Sequence, residues 1–225
     1  MTVEITTLEQ PIDAMYLIHK ALRGEADRTV ELAKHLECGC SLQPFKLAFT
    51  AWATAIMYHA EKEVGTEMSK FVDESRRAAV DCPVERVKWA LLEKEDDEYG
   101  RLLEGVMEVM SVLEEDIGAT SLIPRTKQHL YGQVIALQVA QEDHLETEEA
   151  MVLPLIREYL SPERQLEAVG ALLIDRDADD QAWVIDWMSQ DLTPKENDLL
   201  LKINVFSPPS AAGSLVSPKS RLSDR

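Results

Sequence analysis

Apolar residues recur at alternating spacings of three and four along five stretches of this chain, the period of a helix that buries one stripe. The first runs from about Leu8 to Leu36, with Ile12, Met15, His19, Leu22, Ala26, Val30 and Ala33 in line. The second follows Ser41-Leu42-Gln43-Pro44, where Pro near a first turn marks a helix start. It carries Phe45, Phe49, Trp52, Ile56, His59 and Glu63. The third opens at Asp81-Cys82-Pro83 and extends to about Glu115, with Trp89, Leu92, Asp96, Tyr99, Leu103, Val106, Met110 and Leu113 on its stripe. After the loop at Ile117-Gly118, the fourth begins near Pro124 and reaches about Tyr159 through Val134, Leu137, Gln141, His144, Glu148, Met151 and Leu155. A fifth, from about Glu163 to Leu201, is set off by Ser161-Pro162 and broken again at Thr193-Pro194.

Four long amphipathic segments joined by short connections predict an all-α fold, an up-down-up-down antiparallel four-helix bundle. Only 9 Gly and 10 Pro punctuate 225 residues, which favours long helices over many short strands. We expect the bundle over residues 1–160, an additional C-terminal helix over 161–205 packed on it, and a disordered Pro- and Ser-rich tail over 206–225. With 41 Asp+Glu against 23 Lys+Arg, the net charge of -18 argues against nucleic acid and anionic lipid as partners. No apolar stretch approaches the ~20 residues of a membrane span. Three cysteines, and a start at Met1-Thr2-Val3-Glu4 without a basic leader, point to the reducing cytoplasm.

The inward stripes contain polar residues where a plain bundle would carry Leu. His19 lies between Met15 and Leu22; His59 and Glu63 lie four apart on one face, and His144 and Glu148 repeat that spacing. H-x-x-x-E projects an imidazole and a carboxylate from adjacent turns towards a common point. Buried groups of this kind are costly unless something satisfies them, and a metal does so. Depth along the helices tests whether they meet. At ~1.5 Å per residue, His19 and His59 both lie about 30 Å from the turn near Ser41. Counting back from the turn near Thr120 by the distance that His144 lies beyond it reaches Asp96, with Glu95 beside it. His19, His59, the Glu95/Asp96 pair and His144 therefore fall in one layer across four helices. Imidazole nitrogen mixed with carboxylate oxygen suits iron, manganese or zinc and not calcium or magnesium. Without a cation, the same residues would form a polar layer that fixes helix register.

These residues resemble the hemerythrin-like, or HHE cation-binding, domain family. Its pattern is His on the first helix, H-x-x-x-E on the second, His on the third and H-x-x-x-E on the fourth. The fourth motif here, H-L-E-T-E-E-A-M-V-L-P from His144 to Pro154, is similar to the family's run, including the Pro ten residues after the His. The second motif, from Tyr58 to Glu63, lacks the downstream Pro. The resemblance covers about residues 10–160. It implies His19, His59 and His144 as terminal ligands and Glu63 and Glu148 as bridging carboxylates. The implied cofactor is an oxo- or hydroxo-bridged di-iron centre that handles dioxygen, nitric oxide, peroxide or iron itself.

The third helix departs from the pattern, offering Glu93-Lys94-Glu95-Asp96-Asp97-Glu98 and no His. Either Glu95 or Asp96 replaces the imidazole, or that metal position stays open to water. Anionic ligands favour the ferric state, so three His with up to three carboxylates lean towards oxidase- or peroxidase-like chemistry over reversible oxygen carriage. A non-enzymatic carrier or sensor acting through the fifth segment is the alternative, and a metal-free helical module is the third reading. Tyr58 and Tyr99 lie near the layer and are either donors to bound oxygen species or core. Trp183 and Trp187, four apart, either anchor the C-terminal helix across the bundle or cover a partner-binding groove. His35, Cys38, Cys40 and His129 share a depth about 23 Å from the layer. They are either a second, zinc-type cluster or ordinary residues at helix ends.

Overall fold

The computed structural model describes residues 4–37, 41–65, 77, 104–105 and 124–203, without the side chains of 63–65 and 124–126. Among the described residues every regular element is helical, as the periodicity requires. A single 3-10 turn, Pro11–Asp13, leads into α1 (Ala14–Lys34), followed by α2 (Gln43–Gly65) and α3 (Pro124–Thr147). A π-helical turn, Glu148–Val152, joins α3 to α4 (Leu153–Tyr159). Then come α5 (Pro162–Leu173), α6 (Trp183–Met188) and α7 (Pro194–Lys202). Prolines open most of these elements because a first-turn residue needs no intrahelical amide. The π turn sits just ahead of Pro154, where a regular ladder would require an amide that Pro lacks.

Side-chain contacts fix the directions of the three long helices. Between α1 and α3, Gln138 donates to Asp27 at 2.8 Å, Arg23 donates to Glu142 at 2.8 and 2.9 Å, and His19 meets Glu149 at 2.9 Å. Rising numbers in α1 pair with falling numbers in α3, so these two run antiparallel. Between α2 and α3, Trp52 Nε1 donates to Gln141 Oε1 at 2.7 Å and His59 approaches Glu148 at 3.9 Å. There the numbers rise together, so α2 and α3 are parallel, and α2 is antiparallel to α1. Fully buried Phe45, Phe49, Trp52, Ile56, Met15, Leu22 and Leu145 fill the space between them.

The C-terminal segment departs from the expected helix with one proline break: it forms three helices, with a further break over residues 174–182. Asp side chains in this stretch compete for backbone and indole donors. Asp180 Oδ1 accepts from the Ala182 amide at 3.1 Å and Asp175 Oδ2 from Trp183 Nε1 at 2.9 Å. The anchoring role of the two tryptophans is seen directly: Trp183 stacks edge-on against Tyr58 of α2 at 5.0 Å, and Trp187 Nε1 donates to Glu25 of α1 at 3.3 Å. Arg28 of α1 pairs with Asp191, which comes so close that a Cβ at Gly24 would lie 2.5 Å from its carboxylate.

Glu196 of α7 is fully buried and fully engaged. It accepts from Lys20 Nζ at 2.7 Å through each oxygen, from the Ile5 amide at 2.9 Å and from the Thr193 amide at 2.8 Å. Glu196→Ala is expected to cost about 3 kcal/mol, because it strands a partly buried ammonium and two amides. A Lys20→Met/Glu196→Leu double variant is expected to recover most of the loss, and urea unfolding measures both. Equal midpoints for wild type and Glu196→Ala would contradict this picture of the joint. Residues 206–225, expected to form the tail, lie outside the described residues, as does the predicted third helix except residues 104–105, which are helical. Among the described residues no helix is long and apolar enough to cross a membrane.

Candidate metal centre

His19 projects from the second turn of α1, His59 from the second half of α2, His144 from the last turn of α3, and Glu148 from the start of the π turn. Of the layer expected from the sequence, His19, His59 and His144 come together, with Glu148 beside them. Their imidazole Nε2 atoms all approach a single oxygen, Glu148 Oε2: His19 at 3.3 Å, His144 at 3.8 Å and His59 at 3.9 Å. The His19 and His59 rings stand edge to face, 5.5 Å between centroids. His19 is completely buried, and His59 and Glu148 are nearly so. Ligand atoms of His19, His59 and Glu148 lie within 4.8 Å of one another, the spacing of groups that can hold one metal ion.

Hydrogen-bond accounting shows why a cation fits. A carboxylate only accepts, so His19 Nδ1, 2.9 Å from Glu149 Oε1, carries its proton and donates. A neutral His19 then turns a bare Nε2 lone pair towards Glu148 Oε2, acceptor facing acceptor in a dry interior. The 3.3 Å approach lacks hydrogen-bond geometry, and both atoms are buried without a hydrogen bond. Either protons or a metal must reconcile them.

The electrostatics point the same way. Burial pushes the Glu148 carboxyl up, but His144, His19 and His59 outweigh it and hold that group well below the usual carboxylate range. Burial likewise raises Glu149, while hydrogen bonds from His19 and Arg23 bring it down on balance. Both carboxyls are depressed relative to the unfolded chain. They therefore contribute stability above roughly pH 4.3, the unfolded value, and that contribution is lost as pH falls through the folded values. The urea midpoint of the metal-free protein is expected to drop on acidification below about pH 4, and Glu148→Gln to flatten this limb. An identical limb in the variant would remove Glu148 from the account.

Other expected residues fare differently. Glu63 belongs to α2, but its side chain lies outside the described residues; so do Glu95, Asp96, Tyr99, Cys38 and Cys40. The Tyr58 ring contacts Trp183 and lies under Lys62 at 5.2 Å, so its partners are in the C-terminal unit and its own helix. Burial, then Asp175, Glu61 and Asp177, push its phenol pKa up. His35 is exposed and its Nδ1 lies 2.8 Å from the Glu31 carbonyl, and His129 is exposed too, the ordinary arrangement at helix ends.

Sequence reasoning missed Glu149 and Arg23. Arg23 joins α1 to Glu142 and, at 2.7 Å, to Glu149. The only available signals were the doubled Glu148-Glu149 and an Arg one turn beyond His19. Compared with known proteins, the chain matches no family model, no curated protein and no solved structure.

Proposed function

We propose that this chain is a non-haem metal protein of the hemerythrin-like type, carrying iron, most simply a di-iron centre, and reacting with dioxygen or peroxide. The observation that carries the reading is the convergence of three imidazole nitrogens on one buried carboxylate oxygen, from three separate helices. Mixed nitrogen and oxygen donors suit iron, manganese or zinc, and iron adds one-electron redox chemistry towards oxygen species. The protein's part is positional. His19, His59 and His144 offer nitrogen lone pairs, and Glu148 offsets the positive charge. Met15, Leu22, Ile56 and Leu145, each within one turn of a donor, are fully buried and keep water away.

The up-down-up-down bundle belongs to this proposal. The parallel run of α2 and α3 supports it, because the second and fourth helices of such a bundle share a direction. In this proposal the third helix expected from the sequence would supply Glu95 or Asp96.

Anaerobic loading with ferrous iron, metal analysis, then exposure to dioxygen under an ultraviolet-visible spectrometer tests the reading. We expect at least one iron per chain and a coloured oxidised form that persists when the gas is withdrawn. Full return of the colourless ferrous protein would favour a carrier instead. That second reading has a structural footing: Lys20, next to His19, is the residue that grips Glu196, so the centre and the C-terminal unit share a helix. Uptake of less than about half an equivalent of iron, manganese or zinc would leave only a metal-free helical module.

A further inference from the structure

We propose that Glu149 is the positioning residue of this centre: clamped by Arg23, it fixes the His19 ring with its proton on Nδ1, so that Nε2 is the atom presented to Glu148. Its service to a metal rests on the reading above; the ring state it sets does not.

The argument begins with the π turn. Glu148 and Glu149 open that turn, and as consecutive residues they point to different sides of the helix. They bracket His19, with Glu148 Oε2 3.3 Å from Nε2 and Glu149 Oε1 2.9 Å from Nδ1. The two carboxylates are not equivalent. Glu149 Oε1 takes a second donor, Arg23 Nη1, at 2.7 Å. With a guanidinium on that oxygen, Glu149 is a poor site for a cation, whereas Glu148 Oε2 faces three imidazole nitrogens. Arg23 is itself held from behind by both oxygens of Glu142. The contacts thus run inwards from a 42% exposed Glu142 side chain to a His19 with no exposure at all. Each link limits the rotation of the next, and the ring at the end is the one part with no water to correct its orientation. An anionic partner on the far nitrogen also makes an imidazole a better donor.

Nitrogen-15 NMR of the metal-free full chain at about pH 8.5, above the ordinary histidine range, reads which ring nitrogen carries the proton. We expect Nδ1–H for His19 in wild type and in Glu149→Gln, whose amide oxygen still accepts. In Glu149→Ala a substantial Nε2–H fraction is expected. Zinc titration of the same proteins is expected to show Glu149→Gln close to wild type, Glu149→Ala roughly 10–100-fold weaker, and Arg23→Met between them. Wild-type His19 protonated on Nε2 would overturn the proposal without recourse to any variant. So would Glu149→Ala with ring state and zinc affinity both unchanged. A wild-type chain that takes up no zinc would instead overturn the metal reading, while the ring state, measured without metal, still decides what Glu149 does.

Discussion

Glu148→Gln is expected to abolish the stabilisation that zinc gives the wild-type chain. The substitution keeps the shape of the side chain and removes its charge. Among the described residues, Glu148 is the one carboxylate approached by three imidazole nitrogens. Neutral nitrogens alone would leave a buried dication uncompensated, which a dry interior does not tolerate. The loss should exceed the roughly 10–100-fold that removal of an outer partner costs.

Linkage turns this into a thermal measurement. Metal at about one hundred times its dissociation constant adds about 2.7 kcal/mol to the wild type. For a chain of this size that is a rise of about 5–10 °C in Tm, at ~2–4 °C per kcal/mol. The variant is expected to show no shift at the same zinc concentration. Equal shifts in the two proteins would mean that zinc binds elsewhere, and the centre described above would have to be abandoned. His19→Ala and His59→Ala, each removing a nitrogen of the tight triad, should behave like Glu148→Gln. Replacing exposed His35 should do nothing.

How much of this was legible in the chain depends on which rule governs each residue. His19, His59, His144 and Glu148 could be read because they sit on the 3.6-residue stripes, where helix geometry fixes direction and rise fixes depth. The register of α1 against α3 followed from the same arithmetic. Glu149 broke that rule. It lies one residue off the stripe that carries Glu148, yet at the start of the π turn it reaches His19. Arg23 and Glu142 are 119 positions apart, and nothing local in either helix announces the other. In the C-terminal segment the apolar period continues through residues 174–182, but Asp175 and Asp180 spend their side chains on nearby donors, so the helix stops. Periodicity records what the backbone would do unopposed; these failures occur where a side chain or a proline offers it something else.

Trp52→Ala is expected to be the most destabilising single substitution in the interior. Trp52 is fully buried, stands edge to face with Phe49 at 6.0 Å, and is among the largest completely enclosed side chains of the described core. Its truncation loses transfer energy and opens a cavity, together about 3–5 kcal/mol. It also strands the oxygen of Gln141, itself 1% exposed, for about 1–3 kcal/mol more. Against a total stability of about 5–15 kcal/mol, this is a large fraction. Two further variants separate the contributions. Trp52→Phe keeps most of the apolar volume and should show chiefly the stranded Gln141. Adding Gln141→Leu to it should recover much of that loss, since removing both partners of a buried hydrogen bond is nearly neutral. The pair has a second meaning. Trp52 and Gln141 lie two helical turns before His59 and Glu148 respectively, so they form the rung next to the metal layer in the same parallel register of α2 and α3. Urea midpoints of the metal-free proteins measure all three variants. A cost below about 1 kcal/mol for Trp52→Ala, or no recovery in the double variant, would mean that this rung is not packed as described. The convergence of His59 and Glu148 above it would then lose its support.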